Sequence, residues 1–321
     1  MDGSTRIYVA GHRGLIGSAL LRRLQRDGYG NLITAPRSQL DLADAAAVAA
    51  FFADRAPEVV FLAAGRVGGI IENQSFPADF ITDNLLIQTS VLRAARDHGV
   101  KRLVFFGSSC MYPRECPQPM AEDMILAGKP EPTSLPYAIS KLAGTYMCLA
   151  YNRQGGETRF LPVIPNSTYG PNDDFDPRSS HVLSALIRKF HEAVERAAPE
   201  VELWGSGTPR REFIHADDVA DACLFLLEQD AGRVDFPVNI GVGADVSIAE
   251  LAALIARVTG FKGKIRWDAA KPDGAPRKLL DDSRLKALGW RPKVKLEDGI
   301  RATYEWFLKT KGATELDTVS I

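Results

Sequence analysis

The stretch Gly11-His-Arg-Gly14-Leu-Ile-Gly17 decides the fold of this chain. It follows an apolar segment, Arg6–Ala10, that we predict to be a strand, and it opens an amphipathic segment, Leu15–Asp27, that we predict to be a helix. Gly11 permits a tight turn, Gly14 lets the backbone approach a pyrophosphate, and Gly17 lets the helix pack closely on the strand. The helix N-terminus offers free N–H groups to phosphates. This context favours a dinucleotide site over a plain strand–helix turn.

Apolar and amphipathic segments alternate through the first half of the chain. The predicted strands are Arg6–Ala10, Asn31–Ala35, Glu58–Leu62, Arg102–Phe106 and Arg159–Ile164. The predicted helices are Leu15–Asp27, Ala43–Arg55, Pro77–His98 and Pro136–Gln154. Strands separated by helix-length segments indicate repeated βαβ units, and hence a parallel sheet covered on both faces. The predicted fold class is α/β, a Rossmann-like doubly wound parallel sheet.

The regularity weakens after about Asn166. The predicted helices there are Ser179–Ala197, Asp217–Glu228, Ser247–Thr259 and Leu296–Lys309, and the predicted strands are Val201–Trp204 and Pro237–Ile240. We expect residues 1–165 to form the dinucleotide-binding Rossmann domain. Residues 166–321 are expected to form mainly a smaller, mixed α/β substrate-binding domain, with segments near residues 213–245 returning to the first domain.

Composition excludes several classes of partner. The chain has 321 residues, of which 45% are hydrophobic, and a formal net charge of −1, so no basic field favours a nucleic acid or an anionic membrane. The polar start, Met1–Arg6, predicts no signal peptide, and no apolar run reaches the roughly 18 residues that span a bilayer. The four cysteines lack metal-site spacing, so we expect no metal and reduced thiols in a cytoplasmic protein. They are Cys110, Cys116, Cys148 and Cys223.

Two motifs predict hydride-transfer chemistry. Tyr137-Ala-Ile-Ser-Lys141 opens a predicted helix, and residues four apart share a helix face. The ammonium, with the positive charge of an oxidised nicotinamide, is expected to lower the pKa of the phenol, which can then exchange a proton with a carbinol oxygen. Ser108 follows the fourth strand, at the edge where α/β sheets bind ligands, and can polarise the same carbonyl. The alternatives are a surface Tyr–Lys pair and a loop-turn hydroxyl.

The second predicted strand favours NADP(H) over NAD(H). An NAD site usually has an acid there for the ribose 2′-hydroxyl, whereas this strand ends Ala35-Pro-Arg37. Arg37 and Arg13 can pair with a 2′-phosphate. The alternative is that Arg37 is a solvated loop cation.

Motifs along nearly the whole chain, from the glycine loop to Tyr304-Glu-Trp-Phe-Leu308, carry a resemblance to a known family. They are Val67-Gly-Gly-Ile70, Pro77-Ala-Asp-Phe80, Gly107-Ser-Ser-Cys-Met-Tyr-Pro113, Pro136-Tyr-Ala-Ile139, Tyr169-Gly-Pro171, Ser180-His-Val182, Trp204-Gly-Ser-Gly-Thr-Pro209, Arg211-Glu-Phe213 and Lys271-Pro-Asp-Gly274. On these motifs the chain resembles the GDP-L-fucose synthases, which belong to the extended short-chain dehydrogenases/reductases. Members of that family epimerise GDP-4-keto-6-deoxy-D-mannose at C3 and C5 and then reduce it at C4.

The resemblance implies catalytic roles for five residues. Ser108, Tyr137 and Lys141 would be the reductase triad, Cys110 the base at C3 and C5, and His181 the acid that returns the protons. One C4 ketone serves both reactions, because it acidifies both neighbouring C–H bonds and is then the group reduced. The alternatives are an inert buried thiol for Cys110 and a polar helix-start residue for His181.

The resemblance also implies the ligand contacts. The residues expected to bind NADP(H) are Gly11, His12, Arg13, Gly14, Leu15, Ile16, Gly17, Arg37, Asp41, Leu42, Ala63, Gly107, Ser108, Tyr137, Lys141, Pro165, Asn166, Ser167, Thr168 and His181. Those expected to bind the GDP-sugar are Lys189, Trp204, Arg211 and Asp273, with cations for the phosphates and an indole face for the guanine. Lys189 could instead be a solvated helix cation and Trp204 a core aromatic, and Arg210 competes with Arg211. A homodimer through Pro77–His98 and Pro136–Gln154 is also implied.

Two departures from the family pattern leave the sugar open. Pro165-Asn-Ser-Thr168 stands where the family has Pro-Thr-Asn-Leu, and Ala64-Gly-Arg66 stands where it has Ala-Ala-Lys. The alternative function is epimerisation, reduction or both on another GDP-4-keto-6-deoxy sugar, such as a 6-deoxy-heptose. A non-catalytic NADP-binding sensor on the same fold is a second alternative.

Overall fold

The computed structural model of the chain describes residues 1–156, 159–229, 236–271 and 273–318. Among these residues, none of the helices combines the length and the apolar character needed to cross a membrane.

The strands and helices follow one another in a βαβ pattern that becomes irregular in the second half. The strands are β1 (Ile7–Ala10), β2 (Leu32–Ile33), β3 (Val59–Leu62), β4 (Arg102–Phe106), β5 (Phe160–Pro165), β6 (Ser167–Tyr169), β7 (Glu200–Trp204), β8 (Arg210–Arg211), β9 (Phe213–His215), β10 (Val238–Ile240), β11 (Val246–Ser247), β12 (Lys264–Asp268) and β13 (Arg277–Lys278). The α-helices are α1 (Leu15–Arg26), α2 (Ala45–Arg55), α3 (Ile70–Ser75), α4 (Pro77–Asp97), α5 (Leu135–Gly155), α6 (Val182–Glu195), α7 (Ala216–Glu228), α8 (Ile248–Thr259), α9 (Ser283–Leu288) and α10 (Leu296–Thr318). Short 3₁₀ helices cover Ser109–Met111, Glu122–Met124 and Pro132–Ser134.

The main sheet has six parallel strands in the order β2-β1-β3-β4-β5-β10. After β1 the chain adds β2 on one side and then crosses to add β3 on the other. The crevice at the carboxyl ends of β1 and β3 is therefore the topological switch point, where open α/β sheets bind ligands. The predicted Rossmann-like, doubly wound class is confirmed. β2 is shorter than predicted, because it is an edge strand that pairs only with β1, at two positions.

Alternate residues of the sheet pack against two helical layers. Ile7 and Val9 of β1 pack with α1 and α7 on one face. Tyr8 packs with Phe52 of α2, and with α4 and α5, on the other face. Side chains such as Ile7 and Phe52 are fully buried, which contributes roughly 1.5–3 kcal/mol each in apolar transfer. This two-sided burial explains why the strands are apolar without alternation.

The second half of the chain contributes to both parts of the molecule. Helices α6, α8 and α10 pack with β7 around a separate apolar core. Small sheets pair β7 with β12, β6 with β9, and β8 with β11 and β13. β10, in contrast, joins the main sheet, and α7 covers it. The division at residue 165 stays a prediction, and residues 230–235 of the predicted returning segment lie outside the described residues.

Candidate active site

The glycine loop closes the switch point between β1 and β3. Gly11 has a φ of +81°, and a Cβ added to it would lie 2.7 Å from the backbone nitrogen of Ala64. A Cβ added to Gly17 would lie 2.7 Å from the carbonyl carbon of Gly11. At Gly14 the nearest atom would be 3.5 Å away, which is ordinary van der Waals contact. The fold itself needs Gly11 and Gly17, whereas Gly14 leaves room for a ligand.

The start of α1 fits a phosphate group. Gly14 is its N-cap and no side chain caps the first turn, so the first N–H groups are free for an anion. Leu15, Ile16 and Ala63 pack beneath the loop on the core. Burial lowers the pKa of His12, and the charge of Arg13 lowers it further. The His12 imidazole is therefore uncharged at neutral pH.

Arg13 lies in the glycine loop, and Arg37 follows β2. Arg13 and Arg37 are exposed, and neither forms an ion pair with a residue that the structure describes. Asp41 accepts a hydrogen bond from the backbone nitrogen of Ala43 at 3.0 Å, and the carbonyl of Leu42 accepts one from Ser90. The two free guanidiniums are compatible with a 2′-phosphate.

The loop after β4 places a serine and a cysteine side by side. Gly107 joins β4 to β5 through its backbone nitrogen, which donates to Val163 at 2.8 Å. Ser108 caps the following 3₁₀ helix, because its Oγ accepts a hydrogen bond from the backbone nitrogen of Cys110 at 3.2 Å. This cap holds the Cys110 side chain at the carboxyl edge of the sheet.

Tyr137, from the first turn of α5, completes a cluster with these two residues. Burial raises the pKa of the Tyr137 phenol, and the nearby Cys110 thiol raises it further, while a hydrogen bond with the Ser108 side chain works against both. The expectation that Lys141 lowers this pKa is wrong for the protein alone. Burial outweighs every other influence, so the phenol stays protonated at neutral pH. A protonated phenol is a proton donor.

Lys141 lies one turn along α5, beneath Tyr137. Its Nζ donates to the carbonyl of Phe106 at 2.9 Å and lies 5.8 Å from the centroid of the Tyr137 ring. Burial lowers the pKa of Lys141 to about 8. Both side chains are buried, which excludes the alternative of a solvated surface pair.

His181 lies at the start of α6. It is the exposed N-cap of α6, so the predicted helix start at Ser179 is three residues too early. The preceding loop is fastened by a hydrogen bond from the backbone nitrogen of Gly69 to the carbonyl of Ser179 at 2.9 Å. Phe80 packs edge-on against Tyr137 and lies beside Gly68. Within the described ranges, the imidazole has no hydrogen bond or ring contact with Cys110 or Tyr137.

The segment after β5 is anchored from behind. Pro165 ends β5, and Ser167 and Thr168 form part of β6. The Asn166 side chain is buried, and its Nδ2 donates to Glu212 Oε2 at 2.6 Å. Its amide nitrogen therefore serves Glu212, whereas its Oδ1 is buried and has no hydrogen-bond partner among the described residues.

An exposed indole and a loop carboxylate mark a second subsite. Trp204, at the end of β7, is 61% exposed, so the core-aromatic alternative is wrong. The Nζ of Lys271 lies 5.5 Å from the centroid of the indole ring. Asp273 accepts hydrogen bonds from the backbone nitrogen and the hydroxyl of Ser206, at 2.9 Å and 2.6 Å.

The two adjacent arginines of β8 have different partners. Arg210 is paired with Asp245 at 2.7 Å and with Glu250 at 3.4 Å. Arg211 forms no ion pair with a described residue and donates to the carbonyl of Arg210 at 2.8 Å. Burial lowers the pKa of Arg211, and Asp273 acts against that. Arg211 is thus the cation left available for an anion near Asp273.

Sequence reasoning missed another cation beside Arg211, Lys278. In the register of β8 with β13, Lys278 pairs with Arg211, and Arg277 pairs with Arg210. Arg277 and Arg210 both pair with Asp245, so their side chains lie on one face of this small sheet. Because successive side chains of a strand alternate between faces, Lys278 and Arg211 lie together on the opposite face. The sequence signal that could have found it is a pair of adjacent cations that occurs twice, as Arg210-Arg211 and as Arg277-Lys278. Lys189 is exposed on α6, and the structure shows no contact between it and Trp204 or Arg211.

A glycine loop at a switch point, beside a buried tyrosine and lysine four residues apart, is the arrangement of the short-chain dehydrogenases/reductases. The sequence model of the NAD dependent epimerase/dehydratase family matches residues 7–241, and the chain belongs to this family.

Two proteins of similar sequence are GDP-L-fucose synthases. The chain is 53% identical over 308 residues to GDP-L-fucose synthase 1 of Arabidopsis thaliana, covering 96% of this chain and 94% of that protein. It is 47% identical over 313 residues to GDP-L-fucose synthase of Escherichia coli K12, covering 95% and 97%. The family-level resemblance is therefore confirmed.

Two solved structures share the whole fold. A GDP-L-fucose synthetase from Naegleria fowleri bound to NADP has a TM-score of 0.89 and 26% identity, covering 97% of this chain and 96% of that chain. A GDP-6-OMe-4-keto-L-xylo-heptose reductase from C. jejuni has a TM-score of 0.89 and 37% identity, covering 97% and 99%.

Proposed function

We propose that this protein converts GDP-4-keto-6-deoxy-D-mannose to GDP-L-fucose, by epimerisation at C3 and C5 and NADPH-dependent reduction at C4. The observation that carries the proposal is the position of Cys110 beside Ser108 and Tyr137. Reduction alone needs no sulfur there, whereas removal of a proton beside the ketone needs a base. Relatives named GDP-L-fucose synthase, at 47–53% identity over nearly the whole chain, support this choice.

For the cofactor we propose NADP(H), held by the glycine loop and the start of α1. Arg13 and Arg37, which lack acidic partners in the described residues, would pair with its 2′-phosphate. The Naegleria fowleri protein of the same fold binds NADP. When bound, the cofactor supplies the hydride for C4.

Epimerisation comes first in this account. The C4 ketone acidifies the C–H bonds at C3 and C5, because the resulting enolate places its charge on oxygen. Ser108 and Tyr137 would donate hydrogen bonds to that oxygen and stabilise the charge as it develops. Cys110 would take the proton from one face, and His181 would return a proton to the other.

Reduction then uses the same oxygen. Because burial raises its pKa, the Tyr137 phenol keeps its proton and can deliver it to O4 as hydride reaches C4. Lys141, fixed to the carbonyl of Phe106, would hold the ribose of the cofactor. Reduction removes the ketone and with it the acidity at C3 and C5, so epimerisation stops. A sensor without catalysis would not require this complete set of groups.

The nucleotide would lie in the second subsite. Trp204 offers its exposed face to the guanine, and Arg211 with Lys278 would neutralise the diphosphate. Asp273 is fixed nearby by Ser206. Lys189, exposed on α6, would be a further cation for the phosphates.

The second candidate substrate is a GDP-4-keto-6-deoxy-heptose. The segment Asn166–Thr168 leaves it open, since its sequence departs from the family pattern, and the side chain of Asn166 is bound to Glu212. The similarity to the C. jejuni heptose reductase agrees with this alternative. NADPH oxidation with each GDP-keto sugar, followed by chromatography of the product against GDP-L-fucose, tests the choice. A higher kcat/KM for the heptose would replace the proposed substrate, and no NADPH oxidation with either would reject reduction.

We also propose a homodimer in the cytoplasm. Helices α4 and α5 pack on each other along one flank of the sheet and leave Leu86, Ile139 and Tyr146 exposed. Such apolar side chains on adjacent helices suit a four-helix contact between two copies. Residues 1–165, joined by β10 and α7, would bind the dinucleotide, and the rest would mainly bind the sugar nucleotide.

A further inference from the structure

A fully buried glutamate, Glu212, comes directly after β8. Its Oε1 accepts hydrogen bonds from the backbone nitrogens of Val242 and Gly243, at 2.6 Å and 2.8 Å. Its Oε2 accepts one from the Asn166 side chain at 2.6 Å and one from the backbone nitrogen of Leu280 at 3.0 Å. The carboxylate therefore joins the segments that follow β5 and β10, at the carboxyl edge of the main sheet, to the segment that follows β13.

The fold leaves a space for this carboxylate. A Cβ added to Gly241, at the end of β10, would lie 2.6 Å from Glu212 Oε1. Burial of a carboxylate costs free energy unless hydrogen bonds satisfy its oxygens, and here all four partners are N–H donors. A buried polar network that is satisfied in this way makes the surrounding structure rigid. We therefore expect Glu212 to hold the strand that carries it in one position.

The residues on both sides of Arg211 are anchored to the loop between β10 and β11. Arg210 donates to Asp245 Oδ1 at 2.7 Å and to the carbonyl of Asp245 at 3.0 Å. Glu212, two residues along, accepts hydrogen bonds from the backbone of the same loop. Because successive side chains of an extended strand alternate between faces, Arg211 points to the opposite face. There, a Cβ added to Gly274 would lie 3.0 Å from Arg211 Nη2. Two flanking anchors thus set the direction of the Arg211 side chain.

We propose that Glu212 and Asp245 are positioning residues that hold Arg211 where it meets the diphosphate of the substrate. The inference rests on the proposed binding of a GDP-sugar at this subsite. Arg211 forms no ion pair with a residue that the structure describes, so its place depends on the strand that carries it. Through Asn166, Glu212 also ties this strand to the segment after β5, which is predicted to lie along the cofactor.

Isothermal titration calorimetry with GDP tests the inference without requiring turnover. Glu212→Gln places an NH₂ group where the carboxylate meets only N–H donors. The affinity for GDP should fall roughly tenfold, as expected when about one hydrogen bond to a charged group is lost. In an Arg211→Ala protein, which itself binds GDP more weakly, the same change should have no further effect, because a positioning residue acts only through the residue that it holds.

Glu122→Gln is the matched control. Glu122 is also a buried glutamate, but its partners are the backbone nitrogen of Asn239 and the side chain of Arg284 rather than residues around β8. Its replacement should leave the affinity for GDP as in the wild type. In turnover with NADPH and GDP-4-keto-6-deoxy-D-mannose, Glu212→Gln should raise KM by a factor similar to its loss of GDP affinity, with kcat within about twofold of wild type.

Unchanged GDP affinity in Glu212→Gln, an equal loss in Glu122→Gln, or a loss as large in the Arg211→Ala background as in the wild type would overturn the inference. Should Glu212→Gln fail to fold, Asp245→Asn replaces it, because it weakens the hold of the same loop on Arg210. Asp245→Asn must then lower GDP affinity only while Arg211 is present. A wild-type protein that binds GDP but oxidises no NADPH with the keto sugar would reject the proposed reaction and not the positioning role. A wild-type protein that does not bind GDP would reject the proposed subsite, and the inference with it.

Discussion

In the proposed mechanism, the sulfur of Cys110 distinguishes this site from one that only transfers hydride. It is held at the sheet edge by the Ser108 cap and lies close enough to Tyr137 to affect the pKa of the phenol. We expect Cys110→Ser to lose about 100-fold in deuterium uptake at C3 and C5, a typical cost of removing a general base. NADPH binding, followed by fluorescence, should be unchanged. Cys116→Ser is the matched control, because Cys116 contacts Met124 outside the cluster.

Lys141 carries a stability cost in the folded protein. In the folded protein, burial lowers its pKa from 10.5 to about 8. Between these values the unfolded chain binds a proton that the folded chain does not, so the free energy of unfolding rises as pH increases through this window. Below about pH 8 the full penalty remains.

Lys141→Met should therefore stabilise the cofactor-free protein at pH 7, by up to roughly 3 kcal/mol for a shift of this size. The gain should shrink steadily between pH 8 and pH 10. Urea unfolding at several pH values measures it, with Lys189→Met, an exposed lysine on α6, as control. A Lys141→Met protein less stable than wild type at pH 7 would contradict the assigned burial cost.

At the level of elements, different glycines of the same loop serve folding and cofactor binding. Gly17→Ala would push a Cβ into the backbone of Gly11, so we expect a loss of about 1–3 kcal/mol in stability, as in other overpacked sites. Gly14→Ala meets only ordinary contacts and should melt like wild type while binding NADPH more weakly. Thermal melts and NADPH titrations measure both effects. A melting temperature lowered equally by the two changes would contradict this division.

The long elements were predictable from sequence, and the short ones were not. β1, β3, β4 and β5 are apolar runs buried on both faces, and their predicted bounds lie within one residue of the structure. The two-residue strands β8, β11 and β13 carry no periodicity, and only tertiary pairing forms them.

For the site, Ser108, Cys110, Tyr137, Lys141 and His181 were predicted to converge. The structure places the first four together because they follow β4 and open α5. Among the described residues it shows no hydrogen bond or ring contact that joins His181 to Cys110 or Tyr137. The high pKa of Tyr137 was not predictable, since it depends on how deeply α5 buries the phenol.

At the scale of the whole molecule, the flank formed by α4 and α5 is expected to join two copies. Tyr146→Asp places a charge on that flank and should shift the mass measured by light scattering from two chains toward one. Val194→Asp changes a similarly exposed apolar residue on α6 and should leave the mass unchanged. A single-chain mass for the wild-type protein would contradict the proposed dimer.

The central claim is that one buried site, acting on the C4 ketone of the substrate, performs both epimerisation and reduction. Incubation with NADPH and GDP-4-keto-6-deoxy-D-mannose in deuterated water tests this claim, because the deuterium content of one product reports on both reactions. The account predicts GDP-L-fucose with deuterium at C3 and C5, formed together with loss of the NADPH absorbance. A reduced product that carries hydrogen at both carbons would contradict it.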